Sequence, residues 1–220
     1  MFKGALFDLD GVIADTAPLH FNAWKQIIFK HFGLNLPDSI EEKTKGVSRE
    51  DSLRVILKYL KISISDYDFM KLCEEKNLLY VESLEKLTPK NILPGIETFI
   101  QDLQRNGIKL ALASSSKNGP YILKKLELDR SFQAIVNPEN ITEGKPAPDI
   151  FLEAAKSIQC EPEECIAIED SVAGVTAINS ANIFSIAVGG AELNHANKIF
   201  TSTKDLTLSE VENAWQIQKK

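Results

Sequence analysis

Five short, nearly continuous apolar runs, at residues 3–7, 108–113, 134–136, 165–168 and 184–188, constrain this chain more than any other feature. Runs of this length are too short for helices, and their weak polar alternation marks strands covered on both faces. Before and between the last four lie stretches of helical period, such as Ile96, Phe99, Ile100 and Leu103, or Ile122, Leu123 and Leu126. Apolar strands alternating with helices predict a parallel sheet with helices on both faces, an α/β fold. The strand at 184–188 is the last one the pattern predicts, followed by a closing helix over about 208–217.

Residues 15–90 break that alternation and read as helical throughout. His20, Phe21, Trp24, Ile27, Ile28 and His31 share one helical face, as do Leu53, Ile56, Leu57 and Leu60. A third helix from about 66 to 87 carries Phe69, Leu72, Cys73, Tyr80 and Leu87 on its stripe. Lys76 falls in the middle of that stripe, where an ammonium needs something polar within reach. Ser48, followed by Asp51, reads as a capping box with Asp in place of Glu. The pattern therefore predicts a helical domain, 16–91, inserted into an α/β core formed by 1–15 and 92–220. Connections near 14–17 and 88–93 permit a hinge, with Thr16 as its candidate residue.

The polar residues that packing does not explain fall at strand ends. Asp8 and Asp10 follow the first run, then Gly11; residues two apart on extended backbone face one side. Ser114, Ser115, Ser116, Lys117 and Asn118 follow the second run, and Glu169 and Asp170 the fourth. Ligands of open parallel sheets bind beyond these carboxyl ends. Lys145, in a loop leading to a helix, is expected to point the same way. Four carboxylates at close range repel strongly, and a hard divalent cation, Mg²⁺, with substrate phosphate resolves the conflict. The bland alternatives are turn residues, helix caps and an exposed loop lysine.

The formal net charge of −6, with no basic cluster, argues against nucleic acid as a partner. No apolar run approaches the roughly 20 residues of a membrane span, so no membrane partner is expected. Asp8 and Asp10 interrupt any signal-like run, and three cysteines without a C-x-x-C pair read as reduced thiols. A cytoplasmic monomer is the expectation.

With Asp8/Asp10, Ser114, Lys145 and Glu169/Asp170 in this order, the chain resembles the haloacid dehalogenase superfamily. The resemblance implies a Rossmann-like core with an α-helical cap. It extends over the whole chain to the superfamily's phosphosugar mutases, through four segments. These are Phe7-Asp8-Leu9-Asp10-Gly11-Val12, Lys45-Gly46-Val47-Ser48-Arg49-Glu50-Asp51-Ser52-Leu53, Ala113-Ser114-Ser115-Ser116-Lys117-Asn118-Gly119 and Lys145-Pro146-Ala147-Pro148-Asp149.

That resemblance implies a phosphorylated nucleophile at Asp8 and a general acid/base at Asp10. It implies Mg²⁺ held by Asp8, the Asp10 carbonyl and Asp170, with Glu169 beside them. Ser114, the amide of Ser115 and Lys145 would bind the transferring phosphate. Arg49, Ser116 and Asn118, helped by Lys117, would hold the other phosphate of a sugar. His20 and Lys76 would line the cap side, where Trp24, Lys45, Gly46 and Ser52 are further candidates. Thr44 and Ser115 depart from the Leu and Ala common at these positions. The reaction implied interconverts the 1- and 6-phosphates of β-D-glucose. A sugar- or nucleotide-phosphate phosphatase is the alternative, and a signalling receiver module is a weaker third reading.

Overall fold

A computed structural model describes residues 1–218. Six parallel strands form one sheet: β1 (Gly4–Phe7), β2 (Lys109–Leu112), β3 (Ala134–Ile135), β4 (Cys165–Glu169), β5 (Phe184–Val188) and β6 (Lys198–Phe200). Their spatial order is β3-β2-β1-β4-β5-β6. The order reverses at β1, which pairs with β2 on one side and β4 on the other, so that Phe7 lies between Leu112 and Ile168. The strand ends carrying Asp8, Ser114 and Asp170 are thus neighbours by topology, at the kind of switch point where such sheets bind ligands.

The two faces of the sheet differ in bulk. Ala5, Phe7, Leu110, Leu112, Ile166 and Ile168 pack with Phe99, Leu103, Val211 and Trp215. These last four belong to α5 (Ile96–Arg105) and α9 (Leu208–Gln218). The alternate residues, Leu6, Ala111, Ala113 and Ala167, are mostly small. They meet Phe151, Ala154, Ala155, Ala177 and Ile178, from α7 (Asp149–Ser157) and α8 (Val172–Ser180). Period-two alternation within runs that look uniformly apolar is what a doubly covered strand requires.

The helices between β1 and α5 are α1 (Ala17–Phe32), α2 (Glu41–Thr44), α3 (Arg49–Leu60) and α4 (Asp66–Leu84), and α6 (Gly119–Lys125) follows β2. Phe21, Trp24, Ile27 and Ile28 of α1 share a separate apolar cluster with Leu53, Ile56, Leu57, Leu72 and Cys73. Tyr80 and Leu84 at the end of α4 instead join the sheet's own core. The helical part therefore has a core of its own and is rooted in the larger one.

Two local expectations need correction. β6 lies beyond the last expected strand; it is three residues long, pairs only with β5, and begins with Lys198, so it lacks a buried strand's signature. The helix expected to reach residue 87 ends at Leu84, although Leu87 is buried beyond it. Ser48 does cap α3, its Oγ accepting from Asp51 N at 3.0 Å. Among the described residues no helix is long and apolar enough to cross a membrane.

Candidate active site

A cavity of about 340 Å³ opens between the sheet's carboxyl edge and the helices α1 to α4. Asp8, Asp10, Ser114, Ser115, Ser116, Lys117, Asn118 and Asp170 line it from the sheet side. His20, Trp24, Lys45, Gly46, Arg49, Ser52 and Lys76 line it from the helical side. Lys145, Glu169 and Thr16 stand behind this lining, each held against a residue of the site.

The floor is a buried charge cluster. Lys145 Nζ donates to Asp8 Oδ1 at 2.6 Å and to Glu169 Oε1 at 2.7 Å, all three side chains being almost inaccessible. The other oxygen of Glu169 accepts from the amides of Asp170 and Ser171 and from the Ser171 hydroxyl, at 2.7–2.8 Å. Both oxygens of Glu169 are committed, whereas Asp8 and Asp170 keep acceptor capacity toward the cavity. Asp8, Glu169 and Asp170 each offer a carboxylate oxygen within 4.8 Å of the others. Gly11, at φ +84°, makes this approach possible, because a Cβ there would strike the Asp170 carboxylate.

Electrostatics follow from that crowding. Burial, and then the charge of Glu169, push the Asp8 carboxyl up to about 7, against the pull of Lys145. Burial and the neighbouring carboxylates likewise hold Asp170 well above the usual range. Burial works against a charged Lys145, but Asp8 and Glu169 outweigh it and keep the ammonium protonated. A cluster with one cation and three carboxylates has the donor set and the charge deficit that suit a hard divalent cation.

Asp10 is apart from that cluster. Its Oδ1 accepts from the Thr16 hydroxyl at 2.5 Å and from the Tyr80 hydroxyl at 3.3 Å. Thr16 precedes α1 as its N-cap but makes no side-chain cap bond, because its hydroxyl is spent on Asp10. Withdrawal from water favours the neutral acid, yet His20, Thr16 and Lys76 more than offset it and hold Asp10 at about 2.

Lys76, fully buried on α4, reaches His20 Nδ1 at 2.5 Å and lies over the rings of Trp24 and Tyr80, at 5.4 and 4.8 Å. Its unexpected place on an apolar stripe is thereby explained. Loss of water, with Arg49 nearby, pushes Lys76 down to about 7, and burial with the charge of Lys76 beside it lowers His20. Because Lys76 donates to Nδ1, the His20 proton sits on Nε2, which faces Asp10 Oδ1 at 3.5 Å.

Across the cavity, the loop after β2 folds on its own hydroxyls: Ser114 Oγ accepts from Ser116 N at 3.1 Å, and Ser116 Oγ from Asn118 N at 3.3 Å. Lys117 faces Glu139 and Glu50, at 3.2 and 3.6 Å. Ser115 donates its hydroxyl to Gly46 O at 2.8 Å, tying this loop to the helical side. Gly46 itself is at φ +72° with no room for a Cβ beside Ser171. The Thr44 hydroxyl donates to Glu41 O at 2.8 Å and so closes α2.

Two candidates have their polar groups engaged elsewhere. Ser52 donates to the backbone of α3 and its entry, with Ser48 O at 2.9 Å. Lys45 is paired with Glu42 at 2.7 Å; partial burial opposes its charge, but that carboxylate keeps its pKa raised. Sequence reasoning missed Tyr80, Ser171 and Asn77. Tyr80 counted as an apolar-stripe residue, and only its hydroxyl could have hinted at a polar partner.

A family model described as haloacid dehalogenase-like hydrolase matches residues 2–182. The chain is 42% identical to a β-phosphoglucomutase of Bacillus subtilis, over 97% of this chain and 96% of that one. A phosphatase of phosphorylated carbohydrates from Thermotoga maritima is 30% identical over 82% of each. The crystal structure of a β-phosphoglucomutase from Clostridium difficile superposes with a TM-score of 0.95 at 39% identity, covering 100% of this chain and 99% of that one. A buried Asp8–Lys145–Glu169 cluster at the switch point, beneath an inserted helical unit, is thus joined by likeness over nearly the whole length, and the chain belongs to the haloacid dehalogenase-like hydrolase family.

Proposed function

We propose that this chain is a Mg²⁺-dependent β-phosphoglucomutase, interconverting β-D-glucose 1-phosphate and D-glucose 6-phosphate through β-glucose 1,6-bisphosphate, as a cytoplasmic monomer. The observation that carries this reading is a cavity with two separate sets of anion-binding groups. One is Ser114 with Lys145 around Asp8; the other is Arg49, Ser116, Lys117 and Asn118, shared between cap and core. A hydrolase of one phosphate needs only the first set.

In the forward reaction Asp8 carries the phosphoryl group, and a sugar hydroxyl attacks phosphorus. The bond to Asp8 Oδ breaks as the bond to the sugar oxygen forms, while Asp10 accepts the hydroxyl proton. An Asp10 held at about 2 is ionised at neutral pH and ready to act as that base. The bisphosphate then returns its other phosphoryl group to Asp8, and Asp10 gives the proton back. Lys145 offsets the carboxylate that is freed when the phosphoryl group leaves Asp8 and consumed when it returns.

Asp8, Asp170 and the Asp10 carbonyl would hold Mg²⁺, with Glu169 orienting Lys145 and the Asp170 backbone. When bound, the cation neutralises charge on the phosphoryl oxygens. Residues 16–91 would form a cap over a core of 1–15 and 92–220, with Thr16 at the hinge. Closure would exclude water from the aspartyl phosphate.

The test supplies purified enzyme with β-glucose 1-phosphate, Mg²⁺ and a bisphosphate primer. Glucose 6-phosphate is expected. Release of inorganic phosphate at a comparable rate, with no isomer formed, would falsify the proposal. That outcome would favour a sugar-phosphate phosphatase, the second reading, which the 30% likeness to a carbohydrate-phosphate phosphatase keeps in view.

A further inference from the structure

Asn77 lies on α4 one residue beyond Lys76 and does not line the cavity, yet it touches two residues that do. Arg49 Nη2 donates to Asn77 Oδ1 at 2.8 Å, and Asn118 Nδ2 donates to the same oxygen at 3.0 Å. Arg49 belongs to the helical side and Asn118 to the loop after β2. A guanidinium can only donate, so the Asn77 atom facing it is the amide oxygen, and the Asn118 group facing that oxygen is in turn its amino group. One acceptor therefore collects one donor from each side of the cavity.

We propose that Asn77 is the positioning residue for the distal phosphate of the substrate, aiming Arg49 and Asn118 at one anion from behind. This rests on the mutase reading above. The guanidinium has five N–H groups in a rigid fork, so fixing one of them fixes the direction of the rest. Asn118 likewise keeps a second amino hydrogen free to donate. A flexible arginine would spend part of its binding free energy on ordering itself, and the bond to Asn77 has already restrained it. The same oxygen couples α4 to the core loop, parallel to the Ser115–Gly46 bond, so the distal site is assembled only when the two sides are together.

The test is steady-state kinetics of glucose 6-phosphate formation for wild type, Asn77→Ala and Asn77→Asp, with thermal melting of each. Loss of an acceptor that orients a charged donor is expected to raise KM about tenfold in Asn77→Ala, with kcat changing less. Asn77→Asp keeps the shape and both acceptor bonds but sets a negative charge behind the phosphate site. It is expected to raise KM further than Asn77→Ala while melting no lower than it. A merely structural role predicts the reverse order, with the isosteric Asp the milder change. KM within twofold of wild type in both variants, or Asn77→Asp behaving as wild type, overturns the inference while the mutase reading stands. A wild-type enzyme that releases phosphate and forms no isomer overturns both.

Discussion

The two walls of the cavity solve the problem of buried charge in opposite ways. On the sheet side, Lys145 is locked between Asp8 and Glu169, and Glu169 is saturated by the Asp170 and Ser171 donors. On the helical side, Lys76 and Arg49 face each other's field, have no carboxylate bonded to them directly among the described residues, and lean on a neutral imidazole, an amide and aromatic rings. The first wall is a net acidic cluster, with three carboxylates to one cation. The second presents Arg49 and Lys76, donors suited to an anion. Their juxtaposition fits a metal and a doubly anionic substrate between them, and it separates the chemistry at phosphorus from the choice of where the phosphoryl group goes.

That contrast can be broken most severely at Asp8. Asp8→Asn should reduce both isomerisation and hydrolysis, by a factor on the order of 10⁴ or more, as loss of a nucleophile does. Residual activity within tenfold of wild type would place the nucleophile elsewhere.

Lys145→Ala should follow, because it leaves Asp8 and Glu169 buried without their cation. A loss of about 3–5 kcal/mol of stability is expected from breaking a buried pair. Added Mg²⁺ should recover part of the melting temperature, since a cation can replace the lost charge. An unchanged melting curve in chelator would refute the account of this wall.

Arg49→Ala probes the other wall. Isomerisation should fall roughly a hundredfold, while hydrolysis of the phosphoenzyme is spared, so the ratio of the two products is the diagnostic quantity. Equal losses in both would mean that Arg49 is not confined to the distal phosphate.

The smallest effect concerns Lys76, whose pKa is pushed down to about 7 by burial. An unfolded chain binds that proton up to about pH 10.4, so between roughly 7 and 10 the unfolded state holds more protons than the folded one. Stability contributed through this group therefore rises with pH across that window, and the full cost of the buried cation is felt below it. Lys76→Met should melt a few degrees higher than wild type at pH 6 and lose this advantage toward pH 10, while isomerising more slowly. Melting curves at four pH values decide it; a constant offset would contradict the charge argument.

Legibility in the sequence divided along physical lines. Apolar runs at strand length and helical stripes depend on local period, so the parallel sheet and the helical stretch between its first two strands are legible in the sequence. Strand β6 was not, because an edge strand of three residues with Lys198 at its start carries no such period. The strand-end residues Asp8, Asp10, Ser114 and Asp170 were readable because charges at the end of an apolar run have no packing explanation. Tyr80 was not, since a tyrosine on an apolar stripe is fully explained by packing, and its bond to Asp10 crosses 70 residues.

Residue types, and the segment that each one ends, are carried by the chain alone: two carboxylates after β1, hydroxyls after β2, an acidic pair after β4. Which side chain meets which is settled by packing. It gave Lys145 to Asp8 and Glu169, turned the Thr16 hydroxyl from helix cap to Asp10 partner, and brought Asn77 between Arg49 and Asn118. The reason is that local pattern depends on backbone period, which the chain carries residue by residue. Pairing between side chains depends on distance in space, which exists only after the sheet has closed and the helices have packed.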